Sequence, residues 1–273
     1  MAEAVHPNLF TIPPHRAFSD ALAAGLLRLH GKDPLGLTRG IILVPTNRTA
    51  RAIQDAFVRR AETGLLLPRL VPIGDSEIVE TLGSALDPIG AGANIPPAIA
   101  PLERTMRLAT IVQRTRDRLG ESVDAGEAVR LARELATTLD QLLIEKVDPQ
   151  ALAEGVEGDL AEHWKVSLDQ LDMILTEWPA ELAKLGKVDM AERRNQLLDH
   201  VAGTWRSNSP DGFVVAAGIA STSPSVAGVL RTIARMETGS VVLPGLDTSM
   251  PDSEWEALGP HDPDPQSGFR KRS

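Results

Sequence analysis

The sequence predicts an α/β fold, a parallel sheet interrupted by a large all-helical insertion. Towards both ends of the chain, short runs of branched apolar residues alternate with amphipathic helical segments, which is typical of parallel sheets with right-handed crossovers. Between residues 101 and 205, by contrast, no strand signal is found and apolar residues recur at helical spacing. We therefore expect a discontinuous sheet domain of residues 1–86 and 207–250, a helical insertion of residues 87–206, and an irregular acidic tail of residues 251–273.

Three strand–helix units are expected before the insertion. The first helix is marked by Phe18, Leu22 and Leu26 at four-residue spacing, and Gly31 ends it. In the third unit a Gly-Asp-Ser turn at residues 74–76 caps the helix that follows. The three strands are predicted at residues 8–12, 41–44 and 69–73, and the third helix contains Ile78, Val79 and Leu82.

Helices dominate the middle of the chain, and the strand pattern returns after it. A connector rich in proline, glycine and alanine, residues 86–101, leads into the insertion, whose core we expect to contain Trp164, Trp178 and Trp205. Helices are predicted at residues 101–119, 125–146, 158–185 and 189–206, followed by a strand at 212–217, a helix at 226–236 and a strand at 240–243.

The second strand–helix unit, residues 40–57, is the most informative stretch of the sequence. Its four branched apolar residues before Pro45 are typical of a strand buried on both faces. Thr46 or Asn47 can cap the following helix, whose exposed face carries Arg48 and Arg51. Free N–H groups at a helix N-terminus and fixed arginines together suit a phosphate group. An ordinary βα unit with a solvated helix face explains the same spacing.

Charge is distributed unevenly along this acidic chain. The net charge of −9 argues against a protein that coats nucleic acid by bulk electrostatics. Local basic surfaces are nevertheless compatible with a nucleic-acid groove, and equally with solvated helices. Aromatic residues are only 3% and tyrosine is absent, so a stacking platform for bases is not expected. The arginines concentrate in two segments, the first with Arg39, Arg48, Arg51, Arg59 and Arg60, the second with Arg104, Arg107, Arg114, Arg116 and Arg118.

Several classes of site are excluded by composition and spacing. The absence of cysteine excludes disulfides and thiolate metal sites. The apolar runs are too short to cross a bilayer and no secretory signal is visible, which favours the cytoplasm. Histidine spacings typical of zinc sites and the serine nucleophile elbow are also missing, so we predict neither a metal site nor a catalytic residue.

Two turns that follow strands could contact a phosphate or a metal ion. Residues 12–18 cannot form a P-loop, because they hold two prolines and neither glycine nor lysine. The 218–225 turn offers hydroxyl and N–H groups to a phosphate. Asp247 ends the last apolar strand, where a Mg²⁺-binding or catalytic carboxylate often lies. Plain turn chemistry explains both features equally well.

Five segments, taken in order, match a pattern found in known proteins: FTIPPHRAF at residues 10–18, GIILVPTNR at 40–48, LLPRLVPIGD at 66–75, DMAERRNQLL at 189–198 and GSVVLPGLD at 239–247. They resemble the N-terminal region of AddB proteins, the helicase–nuclease subunits of bacterial AddAB double-strand break repair complexes, in their alphaproteobacterial form. The resemblance covers essentially the whole chain. It implies a helicase-like, P-loop-type topology, in which Thr46, Asn47 and Arg48 correspond to motif Ia and contact the backbone of single-stranded DNA.

The resemblance also implies partners and cofactors. An AddA-like helicase–nuclease subunit is the expected heterodimer partner, and single- or double-stranded DNA ends are the expected ligands. AddB proteins are much longer and carry a nuclease domain with acidic metal ligands and iron–sulfur cysteines, so Mg²⁺ and the cluster belong to full-length members and no cofactor to this chain. We expect an N-terminal fragment or a truncated product of a helicase and exonuclease family, inactive alone.

The leading hypothesis is thus a DNA-binding, helicase-like module that contacts phosphates through Thr46, Asn47, Arg48 and Arg51. Two alternatives stay open. One is a small-molecule α/β enzyme with a phosphate site at the 218–225 turn and Asp247. The other is a non-catalytic subunit whose sheet and helical insertion only dock a partner.

Overall fold

The structure, a computed structural model, describes residues 7–33, 35–61, 64–74, 94–147, 176–221 and 223–257. These residues form five strands and eight helices. In chain order the elements are β1 (Leu9–Ile12), α1 (Phe18–His30), β2 (Ile41–Val44), α2 (Asn47–Arg60), β3 (Arg69–Pro72), α3 (Pro101–Arg118), α4 (Ala125–Glu145), α5 (residues 176–185), α6 (Met190–Ser207), β4 (Val214–Ala217), α7 (Pro224–Arg235), β5 (Gly239–Pro244) and α8 (Asp252–Ala257).

The predicted α/β class and the parallel sheet are confirmed. All five strands are parallel and lie in the order β1-β5-β4-β2-β3. The chain moves from β1 to β2 to β3 in one direction and returns through β4 to β5. Helices α1 and α2 lie on one face of the sheet, and α6 and α7 lie on the other. Because the reversal of direction coincides with the change of face, the four crossovers share one hand.

Strand alternation explains how the sheet is buried on both faces. Leu43 and Ala216 pack against α6 and α7, whereas Ile42 and Val215 pack against α1 and α2. Every residue of β4 is buried, as expected for a central parallel strand. On the α1–α2 side, Phe57 is completely buried.

The insertion has a core of its own, formed by α3, α4 and α5. Leu108 and Ile111 of α3 face Ala128 and Ala132 of α4, and Trp178 of α5 packs with them, as predicted for this tryptophan. The small alanines, both fully buried, let the two long helices approach closely.

Helix α6 corrects the predicted division of the chain. We expected the helix of residues 189–206 to belong to the insertion, but Leu198, Val201 and Trp205 lie in the core against the sheet. Trp205 therefore does not pack the insertion core. The physical reason is that α6 leads directly into β4, so its apolar face covers the sheet that β4 joins.

Other predictions are confirmed closely or lie outside the described residues. Where the structure describes both ends of an element, the predicted strand and helix bounds agree with the observed ones to within about two residues, the ordinary uncertainty of helix ends. The tail is not wholly irregular, because α8 follows Pro251 with two acidic residues in its first turn, which favour a helix N-terminus. The predicted helix around 78–82, residues 158–175 with Trp164, and residues 258–273 lie outside the described residues.

Candidate nucleic-acid interface

The sheet reverses its direction of winding between two neighbouring strands, β2 and β4. The chain leaves β2 towards β3 on one side and leaves β4 towards β5 on the other. Leu43 lies beside Ala216, so both strands end at the same edge. In open α/β sheets, ligands bind in the crevice outside the carboxyl ends of the strands at such a switch point. The structure therefore brings the turn after Pro45 and the turn at Gly218 to the edge where a ligand site is expected.

Thr46 is the N-cap of α2, as one of the two predicted options. Its backbone is extended, and its hydroxyl accepts a hydrogen bond from Thr49 N at 3.2 Å. A threonine cap leaves the positive end of the helix without a negative charge, and no acidic residue occurs in the first turn. The first N–H groups of any α-helix lack the carbonyl one turn earlier that accepts from the later ones. This end of α2 is therefore suited to an anion.

The side chains of Asn47, Arg48 and Arg51 are exposed beside this helix end. Among the described residues, neither Arg48 nor Arg51 has an ion-pair partner, although Asp55 follows Arg51 by one helical turn. The basic residues at the other end of α2 differ in this respect, because Arg59 lies 2.9 Å from the carboxylate of Asp20 and Arg60 lies 4.0 Å from it.

The arginines of α3, the second basic segment of the sequence, are all engaged by carboxylates. Arg104 is the most buried, with Nε 2.7 Å from Asp189 and a guanidinium nitrogen 2.9 Å from Asp140. This segment is thus neutralised within the fold and offers little free positive charge to a polyanion. The other pairs are Arg107 with Glu103 and Glu181, Arg114 and Arg118 with Glu177, and Arg116 with Glu121.

The neighbouring β3 turn holds the β2 turn in position. Ile73 N donates to Val44 O at 2.9 Å, and Gly74 N donates to Pro45 O at 3.0 Å. A Cβ atom at Gly74 would lie only 2.3 Å from Pro45 O, so this position requires glycine. The turn that carries Thr46 is therefore fixed by a backbone contact that no larger residue allows.

Arg194 of α6 fastens the β3 turn from the opposite face. Its side chain is buried, and its Nε donates to Ile73 O at 3.0 Å. Burial lowers the pKa of this guanidinium, and among the described residues no carboxylate faces it. Sequence reasoning assigned no role to Arg194, although it lies in one of the five segments of the resemblance. No periodicity signal distinguishes it from the exposed arginines of other helices.

The described residues of the 218–225 turn lie at the same edge, and several of them are engaged in contacts of the fold. Gly218 has a φ of +69°, its N–H donates to Val242 O at 2.9 Å, and a Cβ there would meet the Phe18 ring at 3.3 Å. Ser223 N donates to Ser221 Oγ at 3.4 Å. These contacts favour a turn that stabilises itself over a dedicated phosphate loop.

Asp247 is likewise explained by turn chemistry. One carboxylate oxygen accepts from Ser249 Oγ at 2.6 Å and from Ser249 N at 2.9 Å. These hydrogen bonds lower the pKa of the exposed Asp247 side chain. No group of three or more potential metal ligands occurs in the part of the chain that the structure describes.

Comparisons with known proteins leave the resemblance to AddB proteins as a prediction. The sequence matches no model of a protein family, and a comparison with curated proteins finds no match. Within the described ranges, no helix combines the length and the apolar character that a bilayer crossing requires.

Proposed function

We propose that this chain is a DNA-binding, helicase-like module of an AddB-type break-repair subunit, and that it binds DNA without cutting it. The observation that carries the proposal is the charge at the start of α2. Arg48 and Arg51 are exposed there without a carboxylate partner among the described residues, whereas the arginines of α3 are paired.

The local geometry supports phosphate as the ligand. The N-terminal N–H groups of α2, the Thr46 hydroxyl and two guanidinium groups are gathered at the carboxyl edge of the sheet. Guanidinium groups bind phosphate in a bidentate manner, and helix N-termini favour anions. The contact is with the backbone, because α2 itself carries no exposed aromatic side chain on which a base could stack.

We favour DNA over ATP as the source of the bound phosphate, because the turn where a P-loop would bind ATP is unsuited to that role. The turn after β1 contains Pro13 and Pro14 and lies at the outer edge of the sheet, away from the switch point. It therefore lacks both the donors and the position of a phosphate-binding loop. In this proposal the helicase-like domain binds a DNA strand, and an AddA-like subunit drives translocation by hydrolysing ATP. The complex acts in the cytoplasm.

The test is the binding of a labelled single-stranded oligonucleotide, followed by fluorescence anisotropy over a series of salt concentrations. Arg48→Ala/Arg51→Ala removes two phosphate contacts. We expect affinity at low salt to fall roughly tenfold or more, and the slope of log K against log salt to shrink by about 1.4, because each single-strand contact contributes about 0.7.

The matched control is Arg114→Ala/Arg118→Ala on α3. These arginines also lie one helical turn apart and are exposed, but both contact Glu177. The control removes the same formal charge and should leave the salt slope unchanged. Equal losses in the two double variants would show that only net charge matters and would refute the site at α2. Unchanged binding in Arg48→Ala/Arg51→Ala would refute it as well.

The small-molecule alternative has a separate test. Mg-ATP or a sugar phosphate bound at the 218–225 turn would raise the melting temperature in proportion to its affinity. A clear rise that Asp247→Asn abolishes would favour the enzyme over the DNA-binding module. Co-purification with an AddA-like helicase, without DNA binding by this chain, would favour the docking subunit.

A further inference from the structure

A basic groove lies between α6 and α7, at the opposite end of the sheet from the Thr46 turn. Both helices end there, a few residues before β4 and β5 begin. The groove has a volume of about 460 Å³, within the range of ligand-binding clefts. Its charged lining residues are three arginines and one glutamate. The groove is defined by Trp205, Arg206, Gly228, Arg231, Arg235 and Glu237.

The arginines of this groove are not explained by ion pairing. Arg206, Arg231 and Arg235 are exposed, and none has an ion-pair partner among the described residues. A cation in the last turn of a helix is stabilised by the helix dipole, which accounts for Arg206 and Arg235. Arg231 lies one turn earlier and four residues from Arg235, where like charges repel each other. Local helix energetics therefore explain Arg235 but leave Arg231 unexplained.

Gly228 is a second unfavourable choice in the same groove. It lies in the interior of α7, where glycine is among the poorest helix formers. A Cβ atom at Gly228 would have no atom within 4 Å, and its φ is not positive, so neither packing nor backbone conformation requires glycine. What glycine does provide is an open groove floor beneath the arginines. Two locally destabilising features thus occur together where a ligand would benefit from both.

We propose that this groove is a second nucleic-acid site, which binds the phosphodiester backbone independently of the Thr46 turn. Phosphate matches the bidentate donors of arginine. An acidic peptide fits less well, because peptide docking relies on apolar anchors, and the two large apolar side chains here, Trp205 and Met236, are only 3% and 6% exposed. The same burial removes a surface for base stacking, so binding does not depend on sequence.

The test uses the whole chain and the same labelled oligonucleotide. In Arg231→Gln/Arg235→Gln we expect the salt slope to shrink by about 1.4, as for two single-strand phosphate contacts. Arg114→Gln/Arg118→Gln is the matched control and should leave the slope unchanged. Circular dichroism of each variant verifies that it is folded.

A second pair of variants tests the open floor of the groove. Gly228→Glu introduces an acid into the groove and should weaken binding roughly tenfold or more. Gly25→Glu adds the same charge at a helix-interior glycine of α1, on the other face of the sheet, which also has no atom within 4 Å of its Cβ and does not line the groove. It should change affinity less than about twofold. Gly228→Ala should raise the melting temperature by about 2 °C, because alanine favours the helix.

The outcomes separate this proposal from the function proposed above. If only Arg48→Ala/Arg51→Ala weakens binding, the groove proposal is overturned and the site at α2 stands. If only the groove variants weaken binding, the groove is supported and the site at α2 fails. Equal effects of Gly228→Glu and Gly25→Glu would overturn the groove, as would polyglutamate competing as strongly as an unlabelled oligonucleotide of equal charge.

Discussion

Asp189 joins the helical insertion to the sheet domain, and its removal is the sharpest test of that connection. It precedes α6 and is only 3% exposed. One carboxylate oxygen accepts from the indole N–H of Trp178 at 2.7 Å, and the other lies 2.7 Å from Arg104 Nε. Burial raises the pKa of Asp189, while the Arg104 guanidinium and the Trp178 N–H act in the opposite direction. Helices α3 and α5 thus meet α6 at a single buried carboxylate.

The loss of unfolding free energy in Asp189→Ala follows from the two buried polar groups, on Arg104 and Trp178, that lose their partner. Removing one partner of a buried ion pair costs about 3–5 kcal/mol, but Arg104 retains Asp140 at 2.9 Å, which places this part near the lower end. The Trp178 N–H loses its acceptor, at a cost of about 1–3 kcal/mol. The two contributions overlap, because both arise from the same cavity. We therefore expect a loss of roughly 3–5 kcal/mol in the free energy of unfolding.

Urea unfolding followed by circular dichroism and tryptophan fluorescence measures this loss. The control is Asp199→Ala, which breaks a pair with Lys146 whose side chains are 48% and 40% exposed. Because exposed pairs contribute about 0–1 kcal/mol, the control should change stability little. If Asp189→Ala costs no more than Asp199→Ala, the buried connection between insertion and sheet domain does not exist as described.

Two further predictions concern the edges of the sheet. Gly74→Ala should lower the free energy of unfolding by roughly 1–3 kcal/mol, because the new Cβ atom would lie 2.3 Å from Pro45 O and the turn would have to move. The same variant should weaken DNA binding. The control Gly64→Ala, whose Cβ atom meets open space, should change neither stability nor binding. Burial lowers the pKa of His30 below its usual 6.5, so the folded state binds fewer protons than the unfolded state and stability should fall as pH drops through the lowered pKa. His30→Gln should flatten that pH dependence in urea titrations, and an unchanged slope would contradict the assignment.

The strands could be predicted from the sequence because most are short runs of branched apolar residues. A strand buried on both faces is apolar at successive positions, so its pattern is continuous. β2, from Ile41 to Val44, was predicted to the residue for this reason. The order of the strands could not be predicted, because it depends on which strands meet in space. A run of apolar residues does not specify its neighbour, so the position of β1 at the edge beside β5 became visible only in the structure.

The misassignment of α6 has the same origin. Helical periodicity showed that residues 189–206 have one apolar face, but not what that face covers. A helix of the insertion and a crossover helix of the sheet have the same pattern. The spatial packing decides between them: α6 lies on the face of the sheet opposite α1 and α2, as the usual hand of a connection from β3 back to β4 requires, and Trp205 lies against the sheet rather than in the insertion.

The same limit applies more strongly to the candidate site. A cap at Thr46 or Asn47 was predictable because capping is local, and the structure shows that Thr46 is the residue that caps α2. Whether an arginine forms an ion pair could not be predicted, because the carboxylate that pairs with it can lie far along the chain. Arg107, for example, is paired with Glu181, 74 residues away. Counting arginines therefore gives the segments at α2 and α3 equal weight, while the fold neutralises one of them. For an acidic chain, the lack of a carboxylate partner for Arg48 and Arg51 within the described ranges is a stronger argument for phosphate binding than the number of arginines nearby.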